Sequence, residues 1–192
     1  IGDDETAYYA NVYGPYGVSY MQDILYLSEN VGCRIRRVDM VSGMITTVAG
    51  TGSCVSSLTQ SSFRRSRRSL RSSSRFTTVS AAAEDAGAVA DDDGRRNEEY
   101  GRMLQSAAAT SSSFASPSGL WGDSVNGRLY IADQAAHYIA VLNTDATPGS
   151  GSSVLSVFAG TGSEGYSGDG ADCKLARLSS PSFIFGLDDT IY

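Results

Sequence analysis

Leu129-Tyr130-Ile131-Ala132-Asp133, His137-Tyr138-Ile139 and Val141-Leu142-Asn143 line up, at a constant offset of 104, with Leu25-Tyr26-Leu27-Ser28-Glu29, Cys33-Arg34-Ile35 and Arg37-Val38-Asp39. A chain that repeats itself at a fixed offset is built from copies of one supersecondary unit, which restricts its fold before any single residue is weighed. The next stretch also returns: Ile45-Thr46-Thr47-Val48-Ala49-Gly50-Thr51-Gly52-Ser53 matches Leu155-Ser156-Val157-Phe158-Ala159-Gly160-Thr161-Gly162-Ser163. Between Pro117 and Gly170 lie four short apolar runs, Gly119 to Trp121, Arg128 to Ala132, Tyr138 to Leu142 and Val154 to Ala159, parted by clusters of Gly, Asn, Asp, Pro and Ser. Strand alternating with turn fits this rhythm better than a helical period, so each unit is expected to be one small four-stranded antiparallel sheet.

Three prolines mark the unit starts: Pro117 falls 102 residues after Pro15, and Pro181 falls 64 after Pro117. The excess in the first unit is an insertion, larger than a turn needs. The expected organisation is therefore 1–14 as the end of a preceding linker, 15–116 as a unit with its insertion at about 55–113, 117–180 as a second unit and 181–192 as the start of a third. Two full units and two stubs leave sheet faces uncovered, because arrays of this kind want at least three units. Completion by further copies or by flanking repeats of the same precursor is expected.

The combination of Ser-Pro-Ser-Gly at 116–119, Leu-Tyr-Ile-Ala-Asp at 129–133, His137-x-Ile139, Val-Phe-Ala-Gly-Thr-Gly at 157–162 and Tyr-Ser-Gly-Asp-Gly at 166–170 resembles NHL-repeat β-propellers, in the subtype with Gly-Thr-Gly…Ser-Gly-Asp-Gly linkers. The resemblance takes in most of the chain outside the insertion. Ser28-Glu29 replaces the Ala-Asp pair, and Gly32-Cys33 stands where the family has Asn-His or Asn-Arg; both departures read as loop positions. The resemblance implies an all-β fold, a radial array of four-stranded blades, typically about four to eight in a closed ring.

In such an up-and-down blade the turn between strands two and three shares a rim with the linker to the next blade. Cys33 maps to the first and Cys54 and Cys173 to the second, so a Cys33–Cys54 disulfide is sterically plausible, with Cys173 left for a partner chain or another segment. Three unpaired thiols are the alternative, as in a reducing compartment. A zinc site has little to draw on, with one histidine and no Cys-x-x-Cys. His137 reads as a turn residue bonding to backbone; no serine nucleophile motif or second histidine accompanies it as a general base. Asp169 and Asp172, with Gly168 and Gly170, could form an oxygen-rich calcium loop, for which Asp3-Asp4-Glu5 is the counterpart, or a tight turn in which aspartate caps amides. No metal and no cofactor are expected.

The insertion opens with Arg64, Arg65, Arg67, Arg68, Arg71 and Arg75 among serines and continues with Glu84, Asp85, Asp91, Asp92, Asp93, Glu98 and Glu99. The basic block could bind a polyanion, act as an Arg-x-Arg-Arg processing site, clamp acidic surface on another copy or be a solvated loop. One short helix is expected at 97–108, where Tyr100, Met103, Leu104 and Ala107 recur at helical spacing. The net charge of −6 argues against a general nucleic-acid binder. No apolar run is long enough to span a bilayer. Serine and threonine clusters suit O-glycans, and no Asn-x-Ser/Thr sequon occurs.

The expected function is a non-catalytic, extracellular structural or interaction module that assembles, as a homo-oligomer, polymer or filament, through blade edges and faces. Leu25, Leu27, Ile35, Val38, Leu129, Ile131, Ile139, Val141, Val157 and Phe158 are the expected assembly and core faces. An intracellular NHL-type module for RNA or protein ligands is the alternative, and a fragment of a propeller lyase or hydrolase a further one.

Overall fold

A computed structural model describes residues 2–55, 108–144, 153–187 and 190–192. The fold is all-β, made of antiparallel sheets. The strands are β1 (Glu5–Thr6), β2 (Pro15–Met21), β3 (Ile24–Glu29), β4 (Arg34–Asp39), β5 (Met44–Ala49), β6 (Pro117–Asp123), β7 (Arg128–Asp133), β8 (Tyr138–Asn143), β9 (Leu155–Ala159), β10 (Gly186–Leu187) and β11 (Thr190–Ile191). Sheet 1 runs β1-β5-β4-β3-β2, sheet 2 runs β6-β7-β8-β9, and β10 and β11 form a third pair. The four-stranded expectation thus holds for sheet 2. Sheet 1 gains a fifth strand because Glu5 and Thr6 pair with Ile45 and Met44.

The two sheets share one register. Val18 faces Leu27 and Val38 faces Ile45, as Leu120 faces Ile131 and Leu142 faces Leu155. Both carry a bulge near the start of the first strand and another between the third and fourth strands. Just past the fourth strand, Gly50 and Gly160 have φ of 91° and 98°, and a Cβ on either would strike the backbone of Cys33-Arg34 or of His137-Tyr138. Only glycine fits that crossing, and each donates its N–H to the following linker, at Ala109 or Cys173.

Because side chains alternate across a strand, each sheet has two faces. In sheet 2 one face, here called A, carries Leu120, Leu129, Ile131, Ala140, Leu142, Leu155 and Val157, and it packs on Met21, Tyr26 and Ile35 of sheet 1. The opposite face, B, carries Trp121, Tyr130, Ala132, Ile139, Val141 and Phe158, and it packs on Ile184 and Ile191 of the third pair. By register the sheet 1 residues Met21, Tyr26 and Ile35 belong to its own B face. The chain therefore stacks A on B twice in succession. The apolar residues expected to form one unsatisfied set divide accordingly: Ile35, Leu129, Ile131 and Val157 are buried between the sheets, Ile139, Val141 and Phe158 lie beneath the third pair, and Leu25, Leu27 and Val38 belong to the A face of sheet 1.

The basic block from Arg64 to Arg75 and residues 97–107 of the helix expected at 97–108 lie outside the described residues; Ala108, its last residue, has extended backbone and bridges Val154 antiparallel instead.

Candidate interaction surfaces

The A face of sheet 1 is unlike its counterpart. Leu120 is 7% exposed, whereas Val18 in the same register is 63% exposed and Tyr20, two residues on, is 60% exposed. Leu25, Leu27 and Val38 are half-buried, where Leu129, Ile131 and Leu142 are buried. Sheet 1 covers the A face of sheet 2; among the described residues the same surface of sheet 1 is covered at its outer end, where Ile45 is buried and Gly2 and Asp3 meet Arg36, and not at its inner end.

That outer end is held by an ionic cluster. Arg36 takes the place of Ala140, and its guanidinium is 1% exposed. It donates through Nη1 to Glu29 at 3.0 Å and through Nη2 to the Gly2 carbonyl at 2.8 Å, and it pairs with Asp3 at 2.8 Å. Thr47 Oγ1 donates to Asp3 at 2.8 Å, and Arg34 stands 3.9 Å from the second Glu29 oxygen. The Ser28-Glu29 departure, expected to lie in a loop, instead ends β3, and both side chains are buried. Glu29 is buried against Arg36; Asp133, its counterpart, is buried as well and meets backbone amides instead.

Asp133 accepts from the amides of Ala115 and Ser116, both at 2.8 Å, and from the Tyr138 hydroxyl at 3.4 Å. Burial pushes its carboxyl above the ordinary range and outweighs these bonds, which pull the other way. An acid whose native pKa is raised makes stability fall as pH rises through the unfolded value, about 3.9, toward the native one. Asp133→Asn is expected to flatten that decline. Because its NH2 then faces one of the two amides, it should cost about 1–3 kcal/mol at neutral pH; urea melts from pH 3 to 7 measure both effects. At exposed turns the backbone N–H groups of Ser42 and Val41 hold Asp39 below its ordinary value, and the side chain of Asn126 chiefly does so for Asp123.

Polar latches repeat at both junctions. Ser28 Oγ donates to the Ser118 carbonyl at 2.6 Å and Asn30 Nδ2 to Ser116 Oγ at 2.7 Å. One unit later Ser118 Oγ donates to the Pro181 carbonyl at 3.3 Å and Gln134 Nε2 to Ser182 Oγ at 3.0 Å.

On the rim, Cys33 and Cys54 form a disulfide with their Cα atoms 5.2 Å apart. Cys173 is exposed and outside any disulfide, its Sγ 3.2 Å from the Phe158 carbonyl. His137, in the register of Cys33, shares its left-handed backbone, with φ of 56° against 47°. Its Nδ1 accepts the Ser180 N–H at 3.1 Å, a turn bond to backbone. Gly168 and Gly170 have positive φ, and Asp172 caps the short 3-10 turn Cys173–Leu175 by accepting from the Lys174 amide. Among the described residues no three His, Cys, Asp or Glu side chains gather as metal ligands. A shallow groove of about 330 Å³ on the outer half of sheet 2 is lined by Arg128, Val141, Asn143, Phe158 and Lys174.

The ionic cluster of Asp3, Glu29 and Arg36 is the feature that reading the repeat misses; the one signal for it is arginine where the aligned unit has alanine. No protein-family model matches the chain, and no curated protein matches it. Among the described residues no helix is long and apolar enough to cross a membrane.

Proposed function

We propose that the protein is a non-catalytic structural or interaction module of NHL-like propeller blades that assembles through its sheet faces with further copies or flanking repeats. The observation that carries this reading is the bare inner half of the A face of sheet 1, where Val18 and Tyr20 stand exposed on the face that in sheet 2 is covered at Leu120. At about 25 cal/mol per Å² of apolar surface, covering even a few hundred Å² contributes several kcal/mol. The repeated strand order, the glycine crossings at 50 and 160 and the latches favour blades over an isolated sandwich. The disulfide suits an oxidising, extracellular setting. Acidic net charge weighs against the RNA-binding alternative.

Light scattering of the purified chain under non-reducing conditions tests the reading. Regular assemblies are expected, and Val18→Asp should dissolve them without unfolding the chain, since Val18 is already mostly exposed. A stable monomer with a cooperative melt, or assemblies indifferent to Val18→Asp, would overturn it.

A further inference from the structure

The described residues leave two surfaces exposed, of opposite kind. At one end sheet 1 presents an A face whose inner half holds Val18 and Tyr20. At the other, the pair of β10 and β11 turns its A side, Ile184 and Ile191, into sheet 2. Its B side is left outward: Phe185 is 59% exposed and Leu187 57%. Phe185 and Tyr192 hold the register of Trp121 and Tyr130, whose rings stack 5.4 Å apart on the B face of sheet 2.

We infer that the occupant of the bare A face is a second copy of this chain, seated head to tail so that Val18 and Tyr20 of one copy cover Phe185 and Leu187 of the next. This rests on the assembly reading above and adds its partner and its polarity. The argument is continuity: A stacks on B between sheets 1 and 2, and again between sheet 2 and the third pair. The same operation applied once more brings the free B end of one copy to the free A end of another. The latches lend the same direction, since at both junctions side chains of the earlier unit reach the start of the later one. The new junction differs in one respect. Gly186 lies against Trp121, where a Cβ would collide with the indole, whereas Tyr20 in its place brings ring against ring with Phe185. Because the two surfaces differ, the contact is heterologous, and it closes into a ring or runs on as a filament depending on the rotation per step.

Heterologous ends permit a mixing test on the full chain. Val18→Asp removes the A end and keeps B; Phe185→Asp removes B and keeps A. Each variant alone is expected to lose assembly, by on the order of tenfold or more in affinity. An equimolar mixture retains one live A end and one live B end and is expected to give a particle of twice the chain mass and no larger. Circular dichroism of each variant checks that its sheets persist. Assembly by Phe185→Asp alone, or a mixture that stays monomeric while the parent chain assembles, would overturn the head-to-tail contact and leave the assembly reading standing. A parent chain that is monomeric at every concentration would overturn both.

Discussion

Arg36→Ala is expected to destabilise the fold by about 3–5 kcal/mol. Removing the guanidinium leaves the Glu29 carboxylate 1% exposed, with its 3.0 Å partner gone and Arg34 3.9 Å from its other oxygen. The loss has a second component, because Gly2 and Asp3 are tied to sheet 1 through the same group. Residues 2–6 should exchange their amide hydrogens faster, including the N–H of Asp4 that donates to Ile45. The cost belongs to the stranded charge more than to the pair. Arg36 has a buried Nε without a hydrogen-bond partner, so the cluster is incompletely satisfied even when intact. Replacing both members by apolar residues, Arg36→Met with Glu29→Leu, is therefore expected to recover most of the loss. Urea melts of Arg36→Ala and of the double variant decide it. A single-variant loss below about 1 kcal/mol, or a double variant no more stable than Arg36→Ala, would mean that the cluster does not hold the outer end of the A face.

This cluster also marks how far the sequence can be read. The offset of 104 aligns Tyr26 with Tyr130 and Ile35 with Ile139, and pairing follows that register in both sheets. Strand positions were legible because turn residues punctuate the apolar runs. Which face a residue joins was not, since sheets covered on both sides show apolar residues on both, and alternation no longer separates inside from outside. Ile139 and Leu129 look alike in sequence and lie on opposite faces of sheet 2. Arg36 was hidden for a related reason. It sits between Ile35 and Arg37 in a run that reads as a half-polar strand, and its partner Asp3 lies 33 residues earlier. Nothing local predicts that an arginine will be buried by a segment so distant. The cysteines were more legible, because turn and linker share a rim in any up-and-down sheet, whatever the side chains around them.

Replacing Cys33 and Cys54 together by alanine is expected to cost about 3 kcal/mol, the chain-entropy value for a closed loop of this size; the bridged residues are 21 apart. The structure supplies its own comparison. In the second unit the same turn position is His137, tied to Ser180 by a single 3.1 Å hydrogen bond, while Glu164 accepts from Ser179 at 3.1 Å. That rim closes without a covalent link, so the first can also form once its disulfide is gone, and the variant should lose stability without losing its strands. The insertion explains why the first unit differs. It departs at about residue 55, directly after Cys54, and the Val55 amide already bonds the Phe114 carbonyl where the chain returns. A bridge at the mouth of the excursion fixes the linker against Cys33 independently of what the inserted residues do. Guanidinium melts should show the parent chain under reducing conditions matching the double variant, both in a Cys173→Ser background so that no third thiol can exchange. Hydrogen exchange should quicken at 30–34 and 50–54 and stay unchanged at the Ser180 amide. A melt that shifts by less than about 1 kcal/mol, or faster exchange spread evenly over both sheets, would show that the bridge is not what secures this rim.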